Sequence, residues 1–286
     1  MEKGSALHAV SEPGRARSFA LSISAHAGKV IHSSTDLMTP FMHSVVVRIS
    51  VALCLMVSAA ACAQELPPGT AIPISLSTGL NAEKDQTGRK LEGRVMQDVI
   101  LTTGEKISEG AHVNGRVVTV AKSGSALGLK FDAIVDHGRT IPLNAAVLAI
   151  ASPVEVNNSG MPMGSNTAED PEHIWVTRQV GGDIVNRGRR RAASSNGVVG
   201  RWLEGRSVRI KLTPNPDAGC PDGPGYREEQ AVWIFSSAAC GTYGLSEVSI
   251  ISRGDTAPIG NILLQSDRDI KIGGGSGWLL ITVASK

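Results

Sequence analysis

Aromatic side chains are scarce in this sequence: they make up 3% of the 286 residues, whereas glycine occurs 32 times. Few aromatic residues, many glycines and frequent valine and isoleucine are typical of short β-strands joined by tight turns rather than of helix bundles. After residue 63 there is no run of twenty apolar residues. That part of the chain is therefore not predicted to cross a membrane as a helix.

Signatures of catalysis are also missing. The chain has no Gly-x-Ser-x-Gly motif, and the glycine-rich segment 273–277 lacks the Lys-Ser/Thr pair and the helix that a phosphate-binding loop requires. After residue 63 the histidines are His112, His137 and His173, and none of them lies in the C-terminal region. We therefore predict no catalytic, cofactor-binding or metal-binding residues. The best candidates for a ligand rim are Ser236, Ser237 and Tyr243.

Residues 42–63 have the layout of a secretory signal peptide. Basic residues precede an apolar core from Ile49 to Ala60, and Ala61-Cys62-Ala63 is a small-x-small cleavage site. We predict export, with residues 1–41 as an N-terminal extension that is disordered or precedes the true translation start. A lipoprotein interpretation would instead place a diacyl group on Cys62, and a retained N-terminal anchor is a further alternative.

Two cysteines remain in the exported part, Cys220 and Cys240. Cysteines twenty residues apart in an oxidising compartment most simply form a disulfide bond. Closing a loop of this length contributes about 3 kcal/mol in the chain-entropy model. A metal-binding pair or a catalytic thiol are the alternatives, but the sequence has no CxxC motif or nearby histidine to support them.

Charge is balanced in the exported part, apart from one basic run. After cleavage at residue 63, 23 basic and 23 acidic residues remain, so the formal net charge falls from +2 to zero. No specific binding of nucleic acid is therefore predicted. The run consists of Arg187, Arg189, Arg190 and Arg191. It is interpreted either as a contact to an anionic surface such as lipid headgroups or as a solvated, protease-sensitive loop.

Residues 66–150 carry the clearest period-two pattern, with apolar residues at Leu127, Leu129, Phe131, Ala133 and Val135. Such alternation between Gly and Asp/Asn turns is typical of strands with one buried face. Several such strands without a helix between them indicate a small β-barrel-like domain. The strands are predicted at about 70–77, 90–102, 111–121, 127–136 and 139–149.

Parts of this domain resemble a known family. The segments 69–76, 88–95, 107–115 and 131–143, with their turn glycines and alternating apolar residues, are similar to the C-terminal β-barrel region of the VirB10/TrbI group. These are scaffold proteins of bacterial type IV secretion and conjugation channels. The resemblance implies a secreted β module. It does not imply DNA transfer, because the chain lacks that family's cytoplasmic segment and proline-rich linker.

The rest of the chain is predicted to contain a linker and a second domain. Residues 151–200 are rich in turn-forming and polar residues and are interpreted as a flexible linker. Residues 201–286 are predicted to form a disulfide-bonded β-sandwich-like domain. The run 206–213 alternates as a half-exposed strand, and the continuously apolar run 231–235 is predicted to be a central strand covered on both faces.

The sequence as a whole predicts an exported all-β protein with two small antiparallel β-barrel or sandwich domains joined by a flexible linker. Its predicted function is that of a non-catalytic cell-envelope module that binds or scaffolds other surface components, in the periplasm or outer envelope of a bacterium. Envelope proteins or surface components are the expected partners, by peripheral membrane contact or a lipid anchor. The alternative function is a secreted hydrolase that acts on a cell-wall or glycan substrate.

Overall fold

The structure is a computed structural model that describes residues 65–121, 123–163 and 176–284. These residues form strands, one short helix α1 (Pro153–Asn158) and two 3₁₀ turns at Pro216–Ala218 and Pro224–Tyr226. The strands before the helix are β1 (Ala71–Leu76), β2 (Leu80–Asn81), β3 (Lys90–Val95), β4 (Val99–Ile100), β5 (Lys106–Ile107), β6 (His112–Val120), β7 (Ala126–Asp136), β8 (Arg139–Pro142) and β9 (Ala145–Ala151). Those after it are β10 (Val176–Arg178), β11 (Ile184–Asn186), β12 (Arg191–Ser194), β13 (Gly197–Trp202), β14 (Val208–Lys211), β15 (Glu229–Ala231), β16 (Gly241–Tyr243), β17 (Val248–Ser252), β18 (Ile262–Ser266), β19 (Lys271–Ile272) and β20 (Gly277–Thr282).

A nearly closed, barrel-like sheet forms the larger part of the fold. Its strand order is β16-β9-β20-β1-β3-β6-β7-β18-β17, with β8 paired to β7 as a branch. The two ends of this order meet, because the Thr242 hydroxyl on β16 donates a hydrogen bond of 2.8 Å to the carbonyl oxygen of Val248 on β17. The all-β prediction is confirmed. The described part of the chain contains no helix with the length and apolar content that a membrane crossing requires.

The barrel interior is the first apolar core. Phe131 and Trp278 meet inside it edge to face, with their ring centroids 5.9 Å apart. The alternation predicted for β7 holds for Leu127, Leu129 and Phe131 and then changes register. Asn114 pairs with Ala133 but Gly115 pairs with Phe131, so a β-bulge moves the inward positions to Ile134 and Asp136. The prediction that Ala133 and Val135 share the buried face of Leu127 is therefore wrong.

A separate six-stranded sheet, in the order β10 to β15, covers the outside of one part of the barrel. Its inward residues, including Val185, Ala192 and Ile210, pack with outward residues of the barrel such as Leu148 and Leu279. Strands β9 and β20 are consequently buried at every position, because one face points into the barrel and the other is covered by this second sheet. Continuously apolar strands are the expected result.

The predicted division into two domains is not what the sheets show. Strand β20, assigned by sequence to the second domain, pairs with β1 and β9 of the first, and β18 pairs with β7. The predicted flexible linker is also wrong over 176–200, which forms strands β10 to β12 and part of β13. The described residues belong to one compact unit. The predicted extension 1–41 and signal peptide 42–63 lie outside the described residues.

The apolar run 231–235 is a buried turn rather than a central strand. Strand β15 ends at Ala231, and Trp233 has a backbone φ of 50°. Length and apolarity alone cannot separate a buried strand from another buried segment. The turn is held by Gln97, which is 1% exposed and whose amide oxygen accepts hydrogen bonds from the backbone N–H of Trp233 (2.8 Å) and of Val208 (3.0 Å).

Candidate anionic-surface site

Positive charge is concentrated in the second sheet. Residues 176–211, which contain strands β10 to β14, have nine arginine and lysine residues and two acidic residues, a formal surplus of seven. The remainder of residues 64–286 carries a deficit of seven, since residues 64–286 are neutral in total. One of the two acids, Asp183, is buried and accepts a hydrogen bond from the backbone N–H of Ser237 (2.7 Å). Within the sheet the surplus is offset in part by Glu229 on β15, whose carboxylate forms an ion pair with Arg201 (3.0 Å).

The outer face of this sheet combines exposed aliphatic and basic side chains. Ile184 pairs with Ala193, and Ala193 pairs with Val198, so the three lie side by side across β11, β12 and β13. Ile184 and Val198 are 40% and 63% exposed. The same face presents basic residues, of which all but the half-buried Arg209 are exposed: Arg178, Arg191, Arg201, Arg209 and Lys211.

The predicted basic run lies at one end of the sheet, where the β11–β12 and β13–β14 turns meet. Arg187 Nη1 donates to the carbonyl oxygen of Gly205 (3.1 Å), and the backbone N–H of Trp202 donates to the carbonyl oxygen of Arg190 (3.3 Å). The Arg187 guanidinium also stacks over the Trp202 ring at 5.6 Å from its centroid. The run is therefore an ordered part of the sheet edge, with Arg189, Arg190 and Arg191 exposed.

Burial lowers the pKa of Arg187, and the neighbouring charge of Arg206 lowers it further. Sequence reasoning missed Arg206 as a site residue, because Arg206 stands apart from the basic run and was included only as the first residue of the predicted strand 206–213. It also missed Gln179, which lies in the same region of the fold. The one sequence feature that could have drawn attention to Arg206 and Gln179 was the excess of arginine across the whole segment from 176 to 211.

The predicted disulfide between Cys220 and Cys240 is present, with the two Cα atoms 6.1 Å apart. It joins the Pro/Gly-rich loop to the segment just before β16. Arg253 supports the same loop, because its guanidinium donates to the carbonyl oxygens of Leu148 (2.7 Å) and Ala218 (2.7 Å). Burial lowers the pKa of Arg253, and the charge of Asp255 partly offsets this effect. The arginine thus serves as a cross-link between backbone carbonyls.

A largely apolar cavity of about 290 Å³ lies beside this loop. Tyr226, which is 7% exposed, forms part of its wall, and burial raises the pKa of the tyrosine hydroxyl. Leu148 and Ile281 supply apolar surface, and Asp222 and Asp255 stand among the lining residues. The cavity is lined by residues of β9, of β20 and of the loop after β14. These segments are far apart in the sequence, so sequence reasoning could not predict the cavity.

The other candidates from sequence are not assembled into a site. Ser236 and Ser237 are 0% and 3% exposed, so they do not form a ligand rim, and the Tyr243 hydroxyl accepts a hydrogen bond from the backbone N–H of Cys240 (3.0 Å). Exposed His137 contacts the Asp136 carboxylate at 2.7 Å. No group of three or more His, Cys, Asp or Glu residues is placed to hold a metal ion in 65–121, 123–163 and 176–284.

The amino-acid sequence matches no protein-family model and no curated protein. The resemblance of residues 66–150 to the VirB10/TrbI group stays a prediction, as does lipidation at Cys62, which lies outside the described residues.

Proposed function

We propose that this protein is an exported, non-catalytic module of the bacterial cell envelope that attaches to an anionic lipid surface through the outer face of its second sheet. The observation that carries the proposal is the surplus of seven positive charges on residues 176–211, set against an equal deficit in the rest of the exported chain. Such a separation of charge orients the molecule in front of a negative surface.

Contact chemistry on this face is suited to lipid headgroups. Each Lys or Arg near an anionic membrane contributes about 1 kcal/mol, and exposed aliphatic side chains can enter the interface between them. The row of Ile184, Ala193 and Val198 lies among basic residues in the way this requires. The disulfide is compatible with an oxidising compartment outside the cytoplasm. The hydrolase alternative stays a prediction.

The test is co-sedimentation of the purified protein with phosphatidylcholine vesicles that contain or lack phosphatidylglycerol. We expect binding only to the vesicles with phosphatidylglycerol, and we expect salt to weaken it because the exposed charges are screened. Replacing Arg178, Arg190 and Arg191 with Gln should reduce affinity by roughly 100-fold, since three headgroup contacts are lost.

The matched control removes three exposed cations from the barrel instead: Lys84→Gln, Lys90→Gln and Arg94→Gln. Both triple variants change the net charge equally, so a specific role of the second sheet predicts that the control binds as the parent protein does. Equal loss in the two variants, or unchanged binding of the sheet variant, would overturn the proposal.

A further inference from the structure

A narrow cleft lies between the C-terminal end of α1 and the arginine-bearing end of the second sheet. Gly160, just after the helix, forms one side, and Gln179, Arg187, Arg206 and Trp233 are among the residues on the other sides. Its enclosed part has a volume of about 10 Å³, which is room for about one oxygen atom of a water or ligand.

Two buried polar atoms border this cleft without a partner. Gln179 is 5% exposed, and its Nε2 donates to the carbonyl oxygen of Trp233 (2.9 Å), which determines the orientation of the amide. Its Oε1 then has no donor among the described residues. Arg187 Nε is likewise buried and has no acceptor there. Unpaired buried groups each cost about 1–3 kcal/mol, so an acceptor and a donor left in one cleft indicate a ligand atom between them.

Charge gives a second, independent indication. Neither Arg187 nor Arg206 forms an ion pair with any residue that the structure describes. The two guanidinium groups are close enough for Arg206 to depress the pKa of Arg187. Two neighbouring cations with no acidic partner among the described residues favour the arrival of an anion.

We infer that the cleft binds an anionic ligand that carries a hydroxyl group beside its acidic group. The hydroxyl oxygen accepts a hydrogen bond from Arg187 Nε and donates one to Gln179 Oε1, which a bare carboxylate or phosphate diester oxygen cannot do because it has no proton. The acidic group of the ligand faces Arg206. Trp202 and the Gly205 carbonyl hold the Arg187 guanidinium in place for this contact.

The inference rests on the proposed function, because the ligand would be a chemical group of the same anionic surface. A glycerol phosphate headgroup and an acidic sugar both place a hydroxyl next to an acid. A water molecule could satisfy the same two buried atoms, but it would bring no negative charge to Arg187 and Arg206.

The experiment is calorimetric titration of the purified protein with glycerol 1-phosphate and with glucuronate, beside their hydroxyl-free counterparts propyl phosphate and cyclohexanecarboxylate. We expect at least one hydroxylated ligand to bind roughly ten-fold more tightly than its counterpart, since one hydroxyl bridge is lost. The preferred ligand of the two identifies the source, lipid headgroup or saccharide.

Two variants locate the site. Arg187→Lys keeps the charge but removes Nε, so it should abolish the preference for the hydroxylated ligand, whereas Arg206→Gln should weaken both ligands of a pair together. Lys90→Gln, at an exposed position on the barrel strand β3, is the control and should bind like the parent protein. Gln179 is left unchanged because its amide also supports the Trp233 turn.

Absence of binding by all four small ligands, or equal affinity for hydroxylated and hydroxyl-free ligands, would overturn the inference and leave a water molecule as the occupant. The vesicle measurement separates this result from failure of the proposed function. If the protein still binds vesicles but none of the small ligands, only the ligand site in the cleft is rejected, because the membrane contact is made by the outer face of the sheet.

Discussion

At the scale of single residues, Gln97 connects the two sheets. It lies on the barrel side between β3 and β4, yet its side chain bonds to the backbone of Val208 in β14 and of Trp233 in the apolar turn. This buried amide stabilises the fold mainly by keeping the backbone N–H groups of Val208 and Trp233 paired, since the Val208 carbonyl oxygen also accepts from the backbone N–H of Val232 (3.1 Å).

Replacing Gln97 with Leu should therefore lower the free energy of unfolding by about 3 kcal/mol or more, because each abandoned backbone group costs about 1–3 kcal/mol. Urea denaturation measures this change. The matched control is Gln265→Leu, at an exposed position on β18, where the change should stay within about 0.5 kcal/mol. A similar small change at Gln97 would show that water replaces its hydrogen bonds at little cost.

Asp136 is a second residue whose environment determines its behaviour. Burial alone would raise the pKa of its carboxyl, but hydrogen bonds from His137 and from the backbone N–H of Ser108 (3.2 Å) outweigh that effect, and the pKa lies below 3.8. A carboxyl group with a depressed pKa in the folded state contributes stability above its unfolded pKa of about 3.9 and loses it as the pH falls through the folded value.

The variant Asp136→Asn should accordingly be less stable than the parent protein at neutral pH, by about 1 kcal/mol or more. The difference should shrink as the pH is lowered below about 4. Urea denaturation across this pH range measures it, with Asp267→Asn as the control at an exposed position. A difference that stays constant with pH would contradict the role of the ionised carboxylate.

At the scale of elements, glycine contacts determine how the loop after β14 sits on the barrel. A Cβ atom at Gly225, in the second 3₁₀ turn, would overlap the carbonyl oxygen of Gly69 just before β1. The obstruction is backbone, which cannot rotate away as a side chain can. The turn and the start of β1 therefore approach each other at a distance that only glycine allows.

Gly225→Ala should lower the free energy of unfolding by about 1–3 kcal/mol, since the backbone must shift to admit the methyl group. Thermal or urea denaturation measures the effect. The control is Gly223→Ala in the same loop, where the nearest side-chain atom would be 3.8 Å from the new Cβ and the backbone is extended. Equal effects at the two positions would attribute the loss to chain flexibility rather than to close packing.

At the scale of the whole molecule, the barrel is completed by the C-terminal part of the chain. The backbone N–H of Thr70 donates to the Thr282 hydroxyl (2.8 Å) across 212 residues of sequence, and β1 has β20 as one of its two neighbours. Without β18 and β20, strands β7, β1 and β9 would each expose an unpaired edge and apolar core residues would face water.

A fragment of residues 64–152 should therefore fail to fold, although the sequence pattern marks it as a domain. Its circular dichroism should lack a cooperative thermal transition, and its amide NMR signals should be poorly dispersed, whereas residues 64–286 should unfold cooperatively. A fragment with well-dispersed signals and a sharp transition would restore the prediction of two domains.

Sequence by itself determined most of the strands before residue 151, the disulfide pair and the position of the basic run. Period-two alternation and turn glycines act over a few residues, so strands such as β1, β6 and β7 are found close to their predicted bounds. The two half-cystines are the two cysteines that follow residue 63. Local patterns of this kind can be interpreted without knowing which distant segments will contact them.

Tertiary structure alone decided which strands share a sheet, where the bulge at Gly115 changes the buried face, and that Gln179 meets Arg187 and Arg206 in one cleft. Strand pairing depends on contacts between segments that are far apart in the sequence. Strands β1, β9 and β20 are buried on both faces, so their apolar sequences do not indicate which strands they pair with. Buried polar atoms without a hydrogen-bond partner can likewise be identified only once the positions of all possible partners are known.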